Sequence, residues 1–150
     1  MVAPAPALPA PYRAVPMLTT SVGHILVRGE LNGRPVDLLV DTGSTRTLVD
    51  RGLVEALGLP LVPLKDRVYG AGGVGSLQLA LVPSARLSIG GVAVAGLDLA
   101  ALDLTAAIAQ FRLQRDVAPR IILGAEVLRR HRAVIDYAGN RLWLASAPNP

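Results

Sequence analysis

The pattern of apolar and polar residues along the chain predicts a mostly-β fold. Residues 24–31 (HILVRGEL) and 34–40 (RPVDLLV) have the composition of strands, and the Asn32-Gly33 pair between them is a strong signal for a two-residue hairpin turn. From residue 77 to residue 82, Leu alternates with other residues, which is the periodicity of a strand. Further short strands are predicted over residues 85–89, 92–97, 121–123, 133–136 and 141–144.

Helical patterns are short and few. Apolar residues recur at helical spacing over residues 49–59, where Gly58 and then Pro60 favour a helix end. A second helix is predicted over residues 125–131, and residues 105–114 carry a weaker helical pattern. We therefore expect one mostly-β domain with one or two short helices and no internal repeat.

The first 17 residues differ in composition from the rest of the chain. Five prolines are spread among alanines there, and proline cannot donate to a strand ladder and favours an extended backbone. We therefore predict a Pro/Ala-rich arm or linker over residues 1–17 and a folded domain over residues 18–147. Such an arm is typical of a tether, which favours a bacterial cell envelope or periplasm as the compartment, with any signal or anchor lying upstream.

Composition and charge narrow the classes of function. A chain of 150 residues, 51% of them apolar, can bury one sizeable core, and the lack of cysteine excludes disulfides and thiolate chemistry. The net charge of +4 comes from arginines spread along a sequence with few aromatic residues, which does not favour nucleic-acid binding. His24 and His131 have no ligand spacing, so we expect no metal and no cofactor. Residues 92–111 are apolar but contain Asp98 and Asp103, which excludes a membrane span.

Candidate chemistry begins at Asp41, which follows an apolar run and opens the segment Asp41-Thr42-Gly43-Ser44. A carboxylate at the end of a buried strand is costly unless the loop supplies hydrogen bonds or a partner. Gly43 permits close approach of the backbone, and the hydroxyls of Thr42 and Ser44 can orient a carboxylate. In isolation, however, such a segment is more often an Asx or Ser/Thr turn.

A glycine-rich segment, YGAGGVG, occupies residues 69–75. Gly70, Gly72 and Gly75 match the spacing of the dinucleotide-binding fingerprint, but that fingerprint requires a following helix, and the residues after Gly75 have strand periodicity. A flap that folds over a peptide and excludes water explains the glycines better. Tyr69 at the base of the flap is consistent with a substrate contact and equally with an ordinary strand aromatic.

A third segment, Ile121-Ile122-Leu123-Gly124, ends a buried strand at a glycine and passes directly into a predicted helix. With this segment, the chain resembles the bacterial branch of the retropepsin-like aspartic peptidases, the single-lobe relatives of pepsin. Their pattern is two apolar residues before Asp-Thr-Gly, a glycine-bearing flap hairpin, then two apolar residues before Gly and a helix. The segments Leu57-Gly58-Leu59 and Ile135-Asp136-Tyr137 add to the resemblance, which covers about residues 20 to 145.

The resemblance implies a fold, an activity and a set of site residues. The implied fold is the retropepsin-like closed β-barrel, the lobe of the acid proteases. The implied activity is aspartic endopeptidase hydrolysis of a protein or peptide substrate by a homodimer, because one lobe supplies one catalytic Asp41. Thr42, Gly43 and Ser44 support the active-site loop, and Thr42 is expected to hydrogen-bond across the dimer. The other implied site residues are the flap and substrate-binding residues Tyr69, Gly70, Ala71, Gly72 and Gly73, and the supporting motif Ile122, Leu123 and Gly124.

Two alternatives to this function stay open: a catalytically silent peptide-binding module with the same fold, and one lobe of a larger two-lobe enzyme. The sequence also departs from the family pattern. Relatives usually carry Asp and then an aromatic residue in the helix after the apolar-apolar-Gly motif, where this chain has Glu126 and Val127. The separation between Asp41 and Gly124 is longer than in compact viral enzymes, with the extra residues expected within residues 98–118. Two prolines near the C terminus disfavour a long terminal strand at the dimer interface, so we expect the dimer to be built differently.

Overall fold

The computed structural model of the chain describes residues 7–69, 76–111, 113 and 117–146. Within these ranges the strands are β1 (Tyr12–Pro16), β2 (Leu18–Thr19), β3 (Ile25–Leu31), β4 (Arg34–Val40), β5 (Leu48–Asp50), β6 (Val62–Tyr69), β7 (Ser76–Val82), β8 (Leu87–Ile89), β9 (Val92–Ala93), β10 (Leu99–Leu102), β11 (Ile121–Leu123), β12 (Val134–Asp136) and β13 (Arg141–Ala145). The helices are α1 (Arg51–Ala56), α2 (Thr105–Gln110) and α3 (Ala125–Arg130).

These strands form two sheets. The larger sheet has the order β6-β7-β10-β5-β11-β4-β3-β8-β9, with β2 also paired to β3, and the smaller sheet has the order β1-β13-β12. Most neighbouring strands are antiparallel, but β11 runs parallel to β4 and β10 runs parallel to β5. The predicted mostly-β class is confirmed, with three short helices in the described ranges where one or two were expected. Of the helices described, none is long and apolar enough to cross a membrane.

The hairpin of β3 and β4 leads directly into the candidate site. Asn32 and Gly33 form its turn with φ angles of 49° and 81°, the left-handed conformation that a two-residue hairpin turn of this type requires. The Asn32 side chain donates to the Ser84 carbonyl at 3.0 Å and accepts from the Arg86 backbone N–H at 2.8 Å. The turn is therefore confirmed where the sequence predicted it, and its side chain ties it to the segment before β8.

The centre of the core lies where β4, β5 and β11 meet. Leu38, Val49, Ile121 and Leu123 each have 0% relative exposure. Because neighbours cover both faces of these strands, their sequences are continuous apolar runs rather than alternating ones. Burial of each such side chain stabilises the fold by about 1.5–3 kcal/mol. The ends of β4 and β11 are consequently held side by side by the most deeply buried part of the protein.

Differences from the predicted elements occur where the sequence lacks periodicity. Residues 99–102 lie inside the apolar run 92–111 and show no alternation, yet they form β10, which is buried throughout between β5 and β7. The helix predicted over residues 49–59 begins later, because Leu48–Asp50 pairs with β10 and β11. Pairing across distant segments overrides local helix propensity at both places.

The smaller sheet changes the interpretation of the predicted arm. Tyr12–Pro16 lies within residues 1–17 but pairs antiparallel with Arg141–Ala145. Val15 is buried, with 1% relative exposure, and Pro16 stands at the end of an edge strand, where its missing N–H removes little from a ladder. The prolines therefore do not prevent residues 12–16 from forming a strand that pairs with β13.

Candidate active site

Asp41 stands directly after the last residue of β4. The parallel register pairs Val40 with Leu123, and the Asp41 backbone N–H donates to the Leu123 carbonyl at 3.0 Å, so the pairing continues one residue beyond the strand. The predicted supporting motif is therefore adjacent to the candidate carboxylate: Ile122 pairs with Leu39, and Gly124 follows immediately. Two segments about eighty residues apart meet at Asp41 because β4 and β11 share the core.

The loop after Asp41 orients the carboxylate through its own backbone. The Gly43 N–H donates to Asp41 Oδ1 at 2.9 Å, and the Ser44 N–H donates to the Asp41 carbonyl at 3.2 Å. The Asp41 side chain remains partly exposed, and Thr42 is exposed. Within the described ranges, the Thr42 hydroxyl has no hydrogen-bond partner. The Asx-type turn that the four residues suggested in isolation is therefore present, and it leaves a carboxylate and a hydroxyl at the surface.

The far side of the loop rests on the start of α3. The Ala125 N–H donates to the Ser44 carbonyl at 2.7 Å, and the Ser44 hydroxyl donates to the Arg46 carbonyl at 2.7 Å. A Cβ atom added to Gly124 would lie 2.3 Å from the Arg46 carbonyl oxygen and 2.9 Å from that of Ser44. Only glycine permits this approach, which gives the predicted motif glycine a direct steric reason.

Two further residues hold the loop and were not among the predicted site residues. Thr47 is completely buried, and its hydroxyl accepts from the Gly124 N–H at 2.9 Å. The Thr47 backbone N–H donates to Glu126 Oε1. In the sequence, Glu126 stands out only as a departure from the family pattern. The polar residue Thr47, immediately before the apolar pair Leu48-Val49, was the available signal for a side chain that caps a loop.

The predicted flap lies between β6 and β7. These strands pair antiparallel, and Tyr69 opposite Ser76 is the last pair before the connecting segment. Gly70, Ala71, Gly72 and Gly73 lie outside the described residues. The strand β7 follows this segment, so the helix that a dinucleotide-binding fingerprint requires is not there, as the sequence predicted.

The start of β3 contributes another polar side chain to this end of the sheet. Ile25 pairs with Val40, so extending the register by one residue places His24 opposite Asp41. The His24 ring contacts the Phe111 ring edge-on, with centroids 4.9 Å apart. In the sequence, His24 is isolated from other candidate site residues. The fold instead brings it and the end of α2 to the same edge as the candidate carboxylate.

Two other acidic residues singled out in the sequence, Asp103 and Asp136, serve local structure. Asp103 is exposed and accepts from the Thr105 N–H at 3.0 Å, and hydrogen bonds from the Thr105 backbone and hydroxyl hold the pKa of Asp103 below its usual value of 3.8. Asp136 accepts from the Gly139 N–H at 2.8 Å and pairs with Arg141 at 3.3 Å. Both carboxylates have turn or pairing roles away from the Asp41 loop.

Comparison with known families agrees with this geometry. A family model described as aspartyl protease matches residues 27–127, a range that contains β4, the Asp41 loop, β11 and the first residues of α3. The chain belongs to the aspartyl protease family.

Solved structures show which fold of that family the chain adopts. The retroviral protease-like domain of Ddi1 from Leishmania major superposes with a TM-score of 0.57 at 20% identity, covering 89% of this chain and 94% of that one. A retropepsin-like aspartic protease from Rickettsia conorii gives a TM-score of 0.58 at 17% identity, covering 89% of this chain and 90% of that one. The fold is therefore retropepsin-like, as the sequence resemblance implied.

Curated relatives with similar sequences are much longer proteins. DNA damage-inducible protein 1 from Neurospora crassa is 32% identical over 115 residues, which is 75% of this chain and 23% of the relative. The protein of the same name from Kluyveromyces lactis is 27% identical over 132 residues, which is 87% of this chain and 28% of the relative. The chain thus spans about a quarter of the length of the curated relatives it matches.

Proposed function

We propose that the protein is an aspartic endopeptidase whose active site forms when two chains associate and bring their Asp41 carboxylates together. The observation that carries this proposal is the position of Asp41. It directly follows a buried strand, yet its carboxylate is partly exposed. The Gly43 N–H orients one carboxylate oxygen. Folding alone does not require an exposed carboxylate at this position, whereas hydrolysis does.

One Asp41 supplies half of the required chemistry. Two carboxylates held close together do not both ionise comfortably, so the pair shares a proton, as aspartic proteases do generally. The ionised carboxylate removes a proton from a water molecule as the water attacks the scissile carbonyl, and the protonated carboxyl donates a hydrogen bond to the carbonyl oxygen. Peptide-bond cleavage then gives a new carboxyl and a new amine terminus.

The surroundings of Asp41 support a two-chain site. The Thr42 hydroxyl is exposed and has no partner in the described part of the chain, so it is available to the same loop of a second chain. The strands β6 and β7 lead into and out of the glycine-rich segment, consistent with a flap over a bound peptide. The substrate class is accordingly a protein or peptide in an extended conformation.

The experiment that tests this function is cleavage of an unstructured protein across a range of pH. We expect cleavage by the wild type, with a bell-shaped dependence on pH that belongs to the carboxylate pair, and no cleavage by Asp41→Asn. Asp37→Asn is a matched control, because Asp37 is an aspartate of β4, the strand that precedes Asp41, and its carboxylate pairs with Arg28 at 3.5 Å. Cleavage that persists in Asp41→Asn would rule out the assignment.

Mixing wild-type chains with an excess of Asp41→Asn chains tests the two-chain site. If the site is shared, activity should fall more steeply than the fraction of wild-type chains in the mixture. The reason is that each mixed dimer has only one functional carboxylate. A strictly proportional decrease would indicate that each chain completes its site without a second copy of itself, as one lobe of a larger two-lobe enzyme would. Binding of a peptide without any cleavage would favour a silent binding module.

A further inference from the structure

Glu126 is the one acidic side chain in the described ranges that bonds to the Asp41 loop from outside it. Its Oε1 accepts a hydrogen bond from the Thr47 backbone N–H. In return, the Thr47 hydroxyl accepts from the Gly124 N–H at 2.9 Å. The segment 124–126 and the end of the loop are thus joined by two hydrogen bonds in opposite directions, each pairing a side chain with a backbone N–H.

This pair of bonds completes the support of the loop. The loop begins at Asp41, whose N–H is bonded to Leu123, and it ends at Thr47, which is completely buried. A buried backbone N–H without a partner is strongly disfavoured. If Glu126 released it, Thr47 would move or its N–H would stay unpaired. Both ends of the loop are therefore attached to one short segment, residues 123–126, so a shift of its far end is transmitted to Asp41.

The contact needs an acceptor of the right length rather than a negative charge. The donor is a neutral amide, and among the described residues no Arg, Lys or His forms an ion pair with Glu126. A glutamine side chain has the same length and an amide oxygen that can accept the same bond. An aspartate keeps the charge but is shorter by one methylene, about 1.5 Å.

We propose that Glu126 is a positioning residue for Asp41, acting by the reach of its side chain to Thr47. This inference rests on the proposed peptidase function and deepens it, because it explains how this chain fills a position where relatives usually carry the shorter Asp. Catalytic groups must be held within about 0.5 Å of the productive geometry. Loss of the Thr47 contact should therefore lower kcat more than it weakens substrate binding.

Three substitutions separate reach from charge in steady-state kinetics with a peptide substrate. Glu126→Gln keeps the acceptor, and we expect its kcat to stay within about threefold of the wild type, a small effect on the scale of misplaced catalytic groups. Glu126→Asp and Glu126→Leu lose the contact, and we expect kcat to fall about 10- to 100-fold with little change in KM. Glu55→Leu is the control, since Glu55 is exposed and pairs with Arg51 on α1, and its kcat should equal that of the wild type.

A second measurement does not depend on activity. We expect the Thr47 amide to exchange slowly with deuterium in the wild type and in Glu126→Gln, and faster in Glu126→Asp and Glu126→Leu. Rates of cleavage are corrected for the folded fraction, taken from urea unfolding of each variant. If the wild type cleaves nothing, the peptidase function fails, whereas amide exchange still tests the contact with Thr47.

Three results would overturn the inference. A Glu126→Leu enzyme with wild-type kcat shows that the contact does not position Asp41. Equal losses in Glu126→Gln and Glu126→Leu show that charge, not reach, is required. Unchanged exchange of the Thr47 amide in Glu126→Leu shows that the hydrogen bond does not protect the loop.

Discussion

Replacement of Gly124 by alanine is the sharpest test of how the Asp41 loop is supported. The Gly124 φ angle of −97° suits any residue, so the substitution introduces no backbone strain of its own. The added Cβ would lie 2.3 Å from the Arg46 carbonyl oxygen, whereas ordinary van der Waals contact begins at 3.4 Å. The loop backbone must therefore move away by about 1 Å, because the atom that the Cβ meets belongs to the backbone and not to the end of a flexible side chain.

The size of the effect follows from this displacement. Overpacking of this kind costs about 1–3 kcal/mol of unfolding free energy, which lowers the melting temperature of a chain of this length by about 2–4 °C per kcal/mol. Misplacement of a catalytic group by about 1 Å costs roughly 100-fold in rate. We therefore expect Gly124→Ala to remain folded but to lose about 100-fold in kcat.

Gly29→Ala is a control with the same steric overlap at a different place. A Cβ atom on Gly29 would also lie 2.3 Å from a backbone oxygen, that of Ser88, where β3 meets β8. We expect a similar loss of stability by thermal unfolding, with kcat near that of the wild type once the folded fraction is taken into account. Wild-type stability and activity in Gly124→Ala would refute the close contact. Equal loss of kcat in both variants would refute its link to Asp41.

The remaining predictions concern the core, a partly exposed ion pair and an exposed carboxylate. Leu38→Ala removes a fully buried side chain and should lower the unfolding free energy by about 2–5 kcal/mol in urea titrations; a loss below about 1 kcal/mol would place Leu38 outside the core. Asp50→Ala frees Arg120, whose Nη2 lies 2.7 Å from the carboxylate, and should cost about 2–3 kcal/mol, whereas the exposed pair formed by Glu55 should cost less than about 1 kcal/mol. The lowered pKa of Asp103 means that its stabilising effect is present above pH 3.8 and is lost as the pH falls through the lowered value. The stability difference between the wild type and Asp103→Asn should therefore shrink in acid, and a difference that grows in acid would contradict the sign.

Local signals in the sequence were sufficient to predict the strands on either side of the Asp41 loop. The Asn32-Gly33 turn requires two consecutive left-handed residues, so the β3–β4 hairpin could be predicted without any knowledge of the rest of the chain. The apolar run before Gly124 was similarly identifiable as a buried strand. The parallel pairing of these two strands, which places Asp41 beside Leu123, is seen only in the structure.

Features that depend on distant partners could not be predicted in the same way. β10 is buried between two other strands, so its four apolar residues have no polar face to reveal a period. Tyr12–Pro16 is recognisable as a strand only once its partner, β13, is known. The contact of Glu126 with Thr47 spans 79 positions of sequence, and a glutamate in the first turn of a helix is ordinarily only a favourable charge at that end.

The parallel pairing of β4 with β11 also has a consequence for when the protein gains its site during synthesis. Asp41 is translated some eighty residues before its backbone partner, Leu123. Contacts of such long range form slowly and cannot precede completion of the intervening strands. The loop around Asp41 therefore lacks this support in a nascent chain until β11 has been made. The fold itself delays formation of the proposed peptidase site until that point.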